Sequence, residues 1–217
     1  MVNSNTFKPN NPGSASAAPQ AGAGKNSPQS LPVQIAGTGD EARGQIILDT
    51  TRTCLDVLQQ QGITEPGRIS ATIINAVADE LEIRNAAILS RSRKMNIPAT
   101  LEPFQLAEVL LTMHDIKKIC CLEKASDPDY DLLGIYQEDG PDMGTYSVSG
   151  YGIRSLCYKY VPEITRRGID EVEAVLSAKC GRVFRTKAKN LVPVNNGIFD
   201  FDTKKLIPYS KDYVFLG

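Results

Sequence analysis

Three short stretches decide the fold class: Ile116-Lys-Lys-Ile-Cys-Cys-Leu122, Asp129-Tyr-Asp-Leu-Leu-Gly-Ile-Tyr-Gln137 and Thr145-Tyr-Ser-Val-Ser-Gly150. Each is short, rich in β-branched or aromatic residues, and bounded by turn formers, the signature of a strand. Between the last two lies Glu138-Asp-Gly-Pro-Asp-Met-Gly144, dense in turn residues, so the pair reads as a hairpin. Of Cys120 and Cys121, side by side in the first strand, one must face inward and the other outward.

Outward from these strands the period changes to that of helices. Upstream, Ile47, Cys54, Leu55 and Leu58 fall on one helical face, with Gly62 as a C-terminal stop. A second helix is predicted from an N-cap at Ser70, with Ile73, Ile74, Val77 and Leu81 as its apolar face. The stretch 84–98, with Arg84, Arg91, Arg93 and Lys94, has no clear period and reads as a loop or as a helix ended by Pro98. A third helix is predicted over 103–114, opened by Pro103 and faced by Leu106, Val109, Leu110 and Met113. Downstream, 151–161 and 169–179 read as helices, the second stopped by Gly181, before 190–217 returns to short strands and turns. The expectation is an α+β fold with helices flanking a small antiparallel sheet.

Residues 1–44 differ in kind. Twenty-eight of them are Ala, Gly, Asn, Ser or Pro, too few apolar groups to offset ordering entropy, so a disordered leader or linker is expected. The chain then divides into a helical segment, 45–99, and an α+β region, 100–217. Gly24-Lys25 in the leader imitates a phosphate-binding loop. Pro19 stands where that loop needs Gly, and Asn26 where it needs Ser or Thr, so no nucleotide hydrolysis by that chemistry is expected.

Composition removes other classes. Lys and Arg total 24 against 25 Asp and Glu, a net charge of −1, so any nucleic-acid site has to be a local patch. No apolar run is long enough for a membrane span, and the start of the chain lacks a signal peptide's apolar core, which points to the cytoplasm. Five Cys without a C-x-x-C pair, and one His, argue against zinc and against a disulfide framework. Asp127, Asp129, Asp131 and Glu138 imitate part of a calcium loop, but Leu132 stands where that loop needs Gly. They read as a solvated turn, and His114, beside Asp115, as a helix-end residue favoured by the macrodipole. No catalytic residue, metal ligand or cofactor is assigned.

Charge is uneven along the chain. Residues 123–142 carry seven acids and one Lys, whereas 181–217 carry seven Lys or Arg and three Asp. Arg182, Arg185, Lys187 and Lys189 surround Phe184, a pattern suited to holding a nucleic-acid backbone and stacking a base.

The stretch 191–217 carries Val192-Pro-Val-Asn-Asn-Gly-Ile-Phe-Asp-Phe-Asp-Thr203, then Leu206, Pro208-Tyr-Ser210 and Tyr213-Val-Phe-Leu216. It resembles a signature of phage and plasmid primase–helicases, in the region just before their superfamily 3 helicase motor. The elements around Gly134-Ile-Tyr136 and Gly144-Thr-Tyr146 resemble the same region, so the likeness covers roughly 100–217. Its motif residues here are Asn195, Asn196, Gly197 and Asp200, with Asn196-Gly197 a strong turn signal and Asp202-Thr203-Lys204 a second one between short apolar strands. No Walker motif of the motor is present. The resemblance implies a non-catalytic module of phage or mobile-element DNA replication in a bacterial host cytoplasm. Its partners would be single-stranded or duplex DNA, or a helicase ATPase, and the chain would be a truncated or split product or a fragment of a larger chain. The competing expectations are a small metal-dependent enzyme on nucleotides or nucleic acid, using Asp129 and Asp131 with His114 nearby, and a cytosolic protein-interaction domain.

Overall fold

The computed structural model describes residues 39–88, 93–120 and 130–217. The leader proper, the Gly24-Lys25 loop, Arg91, Cys121, Asp127 and Asp129 lie outside the described residues. The fold is α+β. Helix α1 spans Gly39–Gln60, α2 Pro66–Ala87 and α3 Pro103–Met113. Strands β1 (Ile116–Cys120), β2 (Leu132–Tyr136) and β3 (Tyr146–Ser147) follow, then α4 (Gly150–Tyr160) and α5 (Arg166–Lys179). Strands β4 (Arg182–Phe184), β5 (Leu191–Val194), β6 (Gly197–Asp200) and β7 (Lys205–Ile207) complete the chain.

The helices form where the periodicity placed them, with corrected ends. α1 begins at Gly39, so residues 39–44 are helix and the expected boundary at 44 falls inside it. Its end is a Schellman turn: Gly62, at φ 65°, donates its N–H to the Gln59 carbonyl, and Ile63 donates to that of Leu58. α2 starts at Pro66 behind Glu65, not at Ser70. Ser70 is buried inside the helix instead, its hydroxyl donating to the Tyr160 carbonyl at 2.8 Å. The helix runs on to Ala87, past the point where the period fades. Asn85 clamps the returning chain by bonding both the N–H and the carbonyl of Met95. α3 opens with a capping box in which Glu102 and Gln105 exchange hydrogen bonds, and ends at Met113 with His114 as its cap.

The helices bury one apolar cluster that includes Leu55, Ile73, Leu81, Leu106, Leu110, Leu156 and Leu176. Segment 45–99 therefore shares its core with the rest and is not a packing unit of its own. The only fully buried polar pair of that core among the described residues, Thr51 and Gln105, is internally satisfied, Gln105 donating to the Thr51 hydroxyl at 3.0 Å.

The sheet is two sheets. In the first, of order β3-β2-β1-β4, β2 is antiparallel to β1 and β3, while β4 lies parallel to β1. One face, carrying Ile116, Leu133 and Ile135, packs on the helices. The other surrounds a second small core of Ile119, Tyr146 and Val214, flanked by Tyr136, Val183 and Leu216. Gly134 sits inside it, because a Cβ there would lie 2.4 Å from Ile119 Cδ1. The segment 213–217 closes this sheet. Tyr146 of β3 donates to the Phe215 carbonyl, and Thr186, just past β4, donates to that of Val214. The second sheet is an antiparallel meander of order β5-β6-β7, whose outer strand β5 contains Pro193.

Candidate nucleic-acid interface

The stretch read as cations around an aromatic begins with a strand, β4. It forms because Val183 can drop into the second core opposite Ile119, which leaves Arg182 and Phe184 on the other face. Phe184 is 52% exposed, so it is not part of the core. The Arg182 guanidinium sits 5.6 Å from its ring centroid. Arg182 is also gripped by Asp131, with two hydrogen bonds of 2.6 and 3.0 Å to a carboxylate side chain that is 1% exposed. That bond from Arg182 holds the Asp131 carboxyl below the usual aspartate range, and Asp131 in turn raises Arg182.

Beyond β4 the chain is pinned at Thr186, whose hydroxyl accepts from Val214 N–H at 2.7 Å while its own N–H bonds the Val214 carbonyl. With Thr186 turned inward, Arg185, Lys187 and Lys189 on either side are exposed. The structure thus brings Phe184, Arg185, Lys187 and Lys189 into one accessible strip, and assigns Arg182 a structural partner.

The motif residues Asn195, Asn196, Gly197 and Asp200 occupy the hairpins of the second sheet. The β5–β6 turn is Asn195-Asn196, not Asn196-Gly197, since Gly197 already pairs with Val194. Glycine is required there for a different reason: its φ is 150°, and a Cβ would lie 2.5 Å from the Ile207 carbonyl oxygen. Asp200 is an organising group. Its carboxylate accepts from Thr203 Oγ1 at 2.8 Å, Asp202 N–H at 2.9 Å and Asn190 Nδ2 at 3.1 Å, and these bonds, Thr203's foremost, lower its pKa. Asn195, with Pro141, Asp142, Pro193 and Tyr209, lines a cleft of about 400 Å³ against the 138–145 turn.

His114 lies in a separate cleft of about 370 Å³ with Asp115, Glu138, Ser155 and Lys159. Burial, and then Lys159, push its pKa down. Its Nε2 is 3.2 Å from the Tyr160 hydroxyl, and no hydrogen bond joins it to Asp115 or Ser155. Asp115 accepts from the Tyr146 hydroxyl instead, and Glu138 pairs with Lys211 at 2.9 Å. Of the basic residues of 84–98, Arg84 pairs with Glu80 one turn away. Among the described residues no group of three or more His, Cys, Asp or Glu is placed to hold a metal ion. None of their helices is long and apolar enough to cross a membrane.

Sequence reading missed two things here. The Arg182–Asp131 pair joins residues from a turn and a distant strand, which no local pattern links. Phe201, Lys204 and Lys205, at the end of the second sheet, were not singled out as binding residues. The signal was present, since an exposed aromatic between cations is the pattern that singled out Phe184. No protein-family model matches the chain, and no curated protein matches it.

Proposed function

We propose that this chain is a non-catalytic, nucleic-acid-engaging module of phage or mobile-element DNA replication that works beside a helicase ATPase. The observation that carries the reading is the strip itself: Phe184 exposed in β4, followed by exposed Arg185, Lys187 and Lys189. Cations so placed neutralise phosphates, and a bare ring offers a base a stacking surface. No groove-reading helix accompanies them among the described residues, so binding is salt-sensitive and little dependent on sequence. The signature over 191–217 supports the replication context.

Each neutralised phosphate contributes about −0.7 to the slope of log K against log salt on a single strand, so three cations give roughly −2. A salt titration on single-stranded DNA tests this. Replacing Arg185, Lys187 and Lys189 together by Ala should flatten the slope and leave the melting temperature unchanged within about a degree or two, as exposed substitutions cost little. An unchanged slope removes the strip from the site. Absence of binding at low salt rejects the nucleic-acid reading in favour of a protein partner.

A further inference from the structure

The β5-β6-β7 sheet turns Ile198 inward, where it is fully buried, and turns an apolar face outward. Register sets Val192, Phe199 and Leu206 in one row across the three strands. Val192 is 39% exposed and Leu206 46%. Phe201, just past β6, is 48% exposed and meets Phe199 edge-on at 4.9 Å. Lys204 holds its Nζ 5.5 Å from the Phe201 ring centroid.

This face joins the basic strip. Lys189 precedes Asn190, whose carbonyl accepts the Phe201 N–H at 2.8 Å, so the strip runs directly into the hairpin end. The charge balance there is one-sided. Arg182 and Lys211 are engaged by Asp131 and Glu138. Arg185, Lys189, Lys204 and Lys205 have no carboxylate partner among the described residues. Of the nearby acids, Asp200 is turned into the hairpin and Asp212 is bonded to Ser210, and Asp202, exposed in the turn, is one carboxylate against Lys189, Lys204 and Lys205. An apolar, aromatic face bordered by uncompensated cations is complementary to a polyanion with exposed flat rings. Duplex bases are stacked away from such a face, whereas unpaired bases can lie on it.

We propose that the outer face of the β5-β6-β7 sheet is a stacking platform for single-stranded nucleic acid. Phe201 takes a base, and Lys189 and Lys204 take flanking phosphates. The proposal rests on the nucleic-acid reading above and extends it, from backbone contact along the strip to base contact on the sheet and to preference for a single strand.

Fluorescence anisotropy on the full chain tests it with three labelled probes of equal length: oligothymidylate, an abasic strand, and a blunt duplex. The thymidylate strand should bind more tightly than either of the others. Phe201→Ala should weaken thymidylate binding roughly 5- to 100-fold, the range for losing one stacked base, and leave abasic binding and the salt slope unchanged. Phe201→Tyr should restore it, which separates stacking from misfolding. Equal affinity for thymidylate and abasic strands overturns the platform. So does an unaffected Phe201→Ala in a protein whose binding the Arg185, Lys187, Lys189 triple variant abolishes, and that outcome leaves the basic strip standing. If no probe binds the wild type at low salt, both readings fall and the face belongs to a protein partner.

Discussion

Asp131 governs how much of the basic stretch is available. Its side chain is almost wholly covered, and it holds Arg182 by two hydrogen bonds. Asp131→Asn keeps the shape and removes the charge, which frees Arg182 to join the strip. The variant should bind single-stranded DNA with a salt slope steeper by about 0.7, one added phosphate contact. It should also lose an acid-sensitive share of stability. The folded carboxyl titrates below its ordinary value of 3.8. The wild type therefore carries this contribution above about pH 4 and loses it as pH falls through the folded value, whereas the variant lacks it throughout. Urea melts at pH 3 to 7 on both proteins measure the difference, and parallel curves would show that the pair adds nothing. Composition and spacing were enough to pick out Arg182, Arg185, Lys187, Lys189 and Phe184 as a group. They could not show that Arg182 is held by Asp131, because pairing across distant segments is set by tertiary packing alone.

At the scale of elements, periodicity was legible wherever one face of a helix is buried. The apolar residues assigned to α1, α2 and α3 are those that fill the core. Ends were less legible. Ser70 has the chemistry of a cap but spends its hydroxyl on Tyr160 across the core, and β4 needs β1 alongside before three residues can count as a strand. The β5–β6 hairpin shows the same limit. The Asn-Gly pair signalled a turn correctly, yet its glycine serves close approach to the β7 backbone. Gly197→Ala should therefore destabilise the protein by about 1–3 kcal/mol, through a non-glycine φ and a clash with a carbonyl that cannot swing away. Asn196→Ala, in an exposed turn without positive φ, should stay within about 0.5 kcal/mol. Chemical denaturation of the two variants separates the readings, and equal costs would restore the turn as the reason for the glycine.

For the whole molecule, the shared helical core joins the segments 45–99 and 100–217 that the sequence reading had set apart. Leu55 and Ile73, from before residue 99, lie in one cluster with Leu106, Leu156 and Leu176 from beyond it. Heating should give one transition, with the same midpoint by far-ultraviolet circular dichroism, which reports helices, and by near-ultraviolet dichroism, which reports tyrosines such as the Tyr136–Tyr146 pair in the first sheet. Two midpoints would mean that the sheets and helices unfold as separate units.

The position of Pro193 has a further consequence. An outer strand offers unpaired N–H and carbonyl groups to any other extended chain, and this is how native sheets recruit copies into aggregates. In β5 the free side has a proline at its centre, where a donor is missing. On the opposite margin, β7 begins with Lys205 and runs into Pro208. Charge and a second missing donor guard that side. The meander can thus expose a greasy surface without inviting self-templated growth: what reaches it has to come onto the flat of the sheet, and lateral extension into fibrils is blocked at both margins.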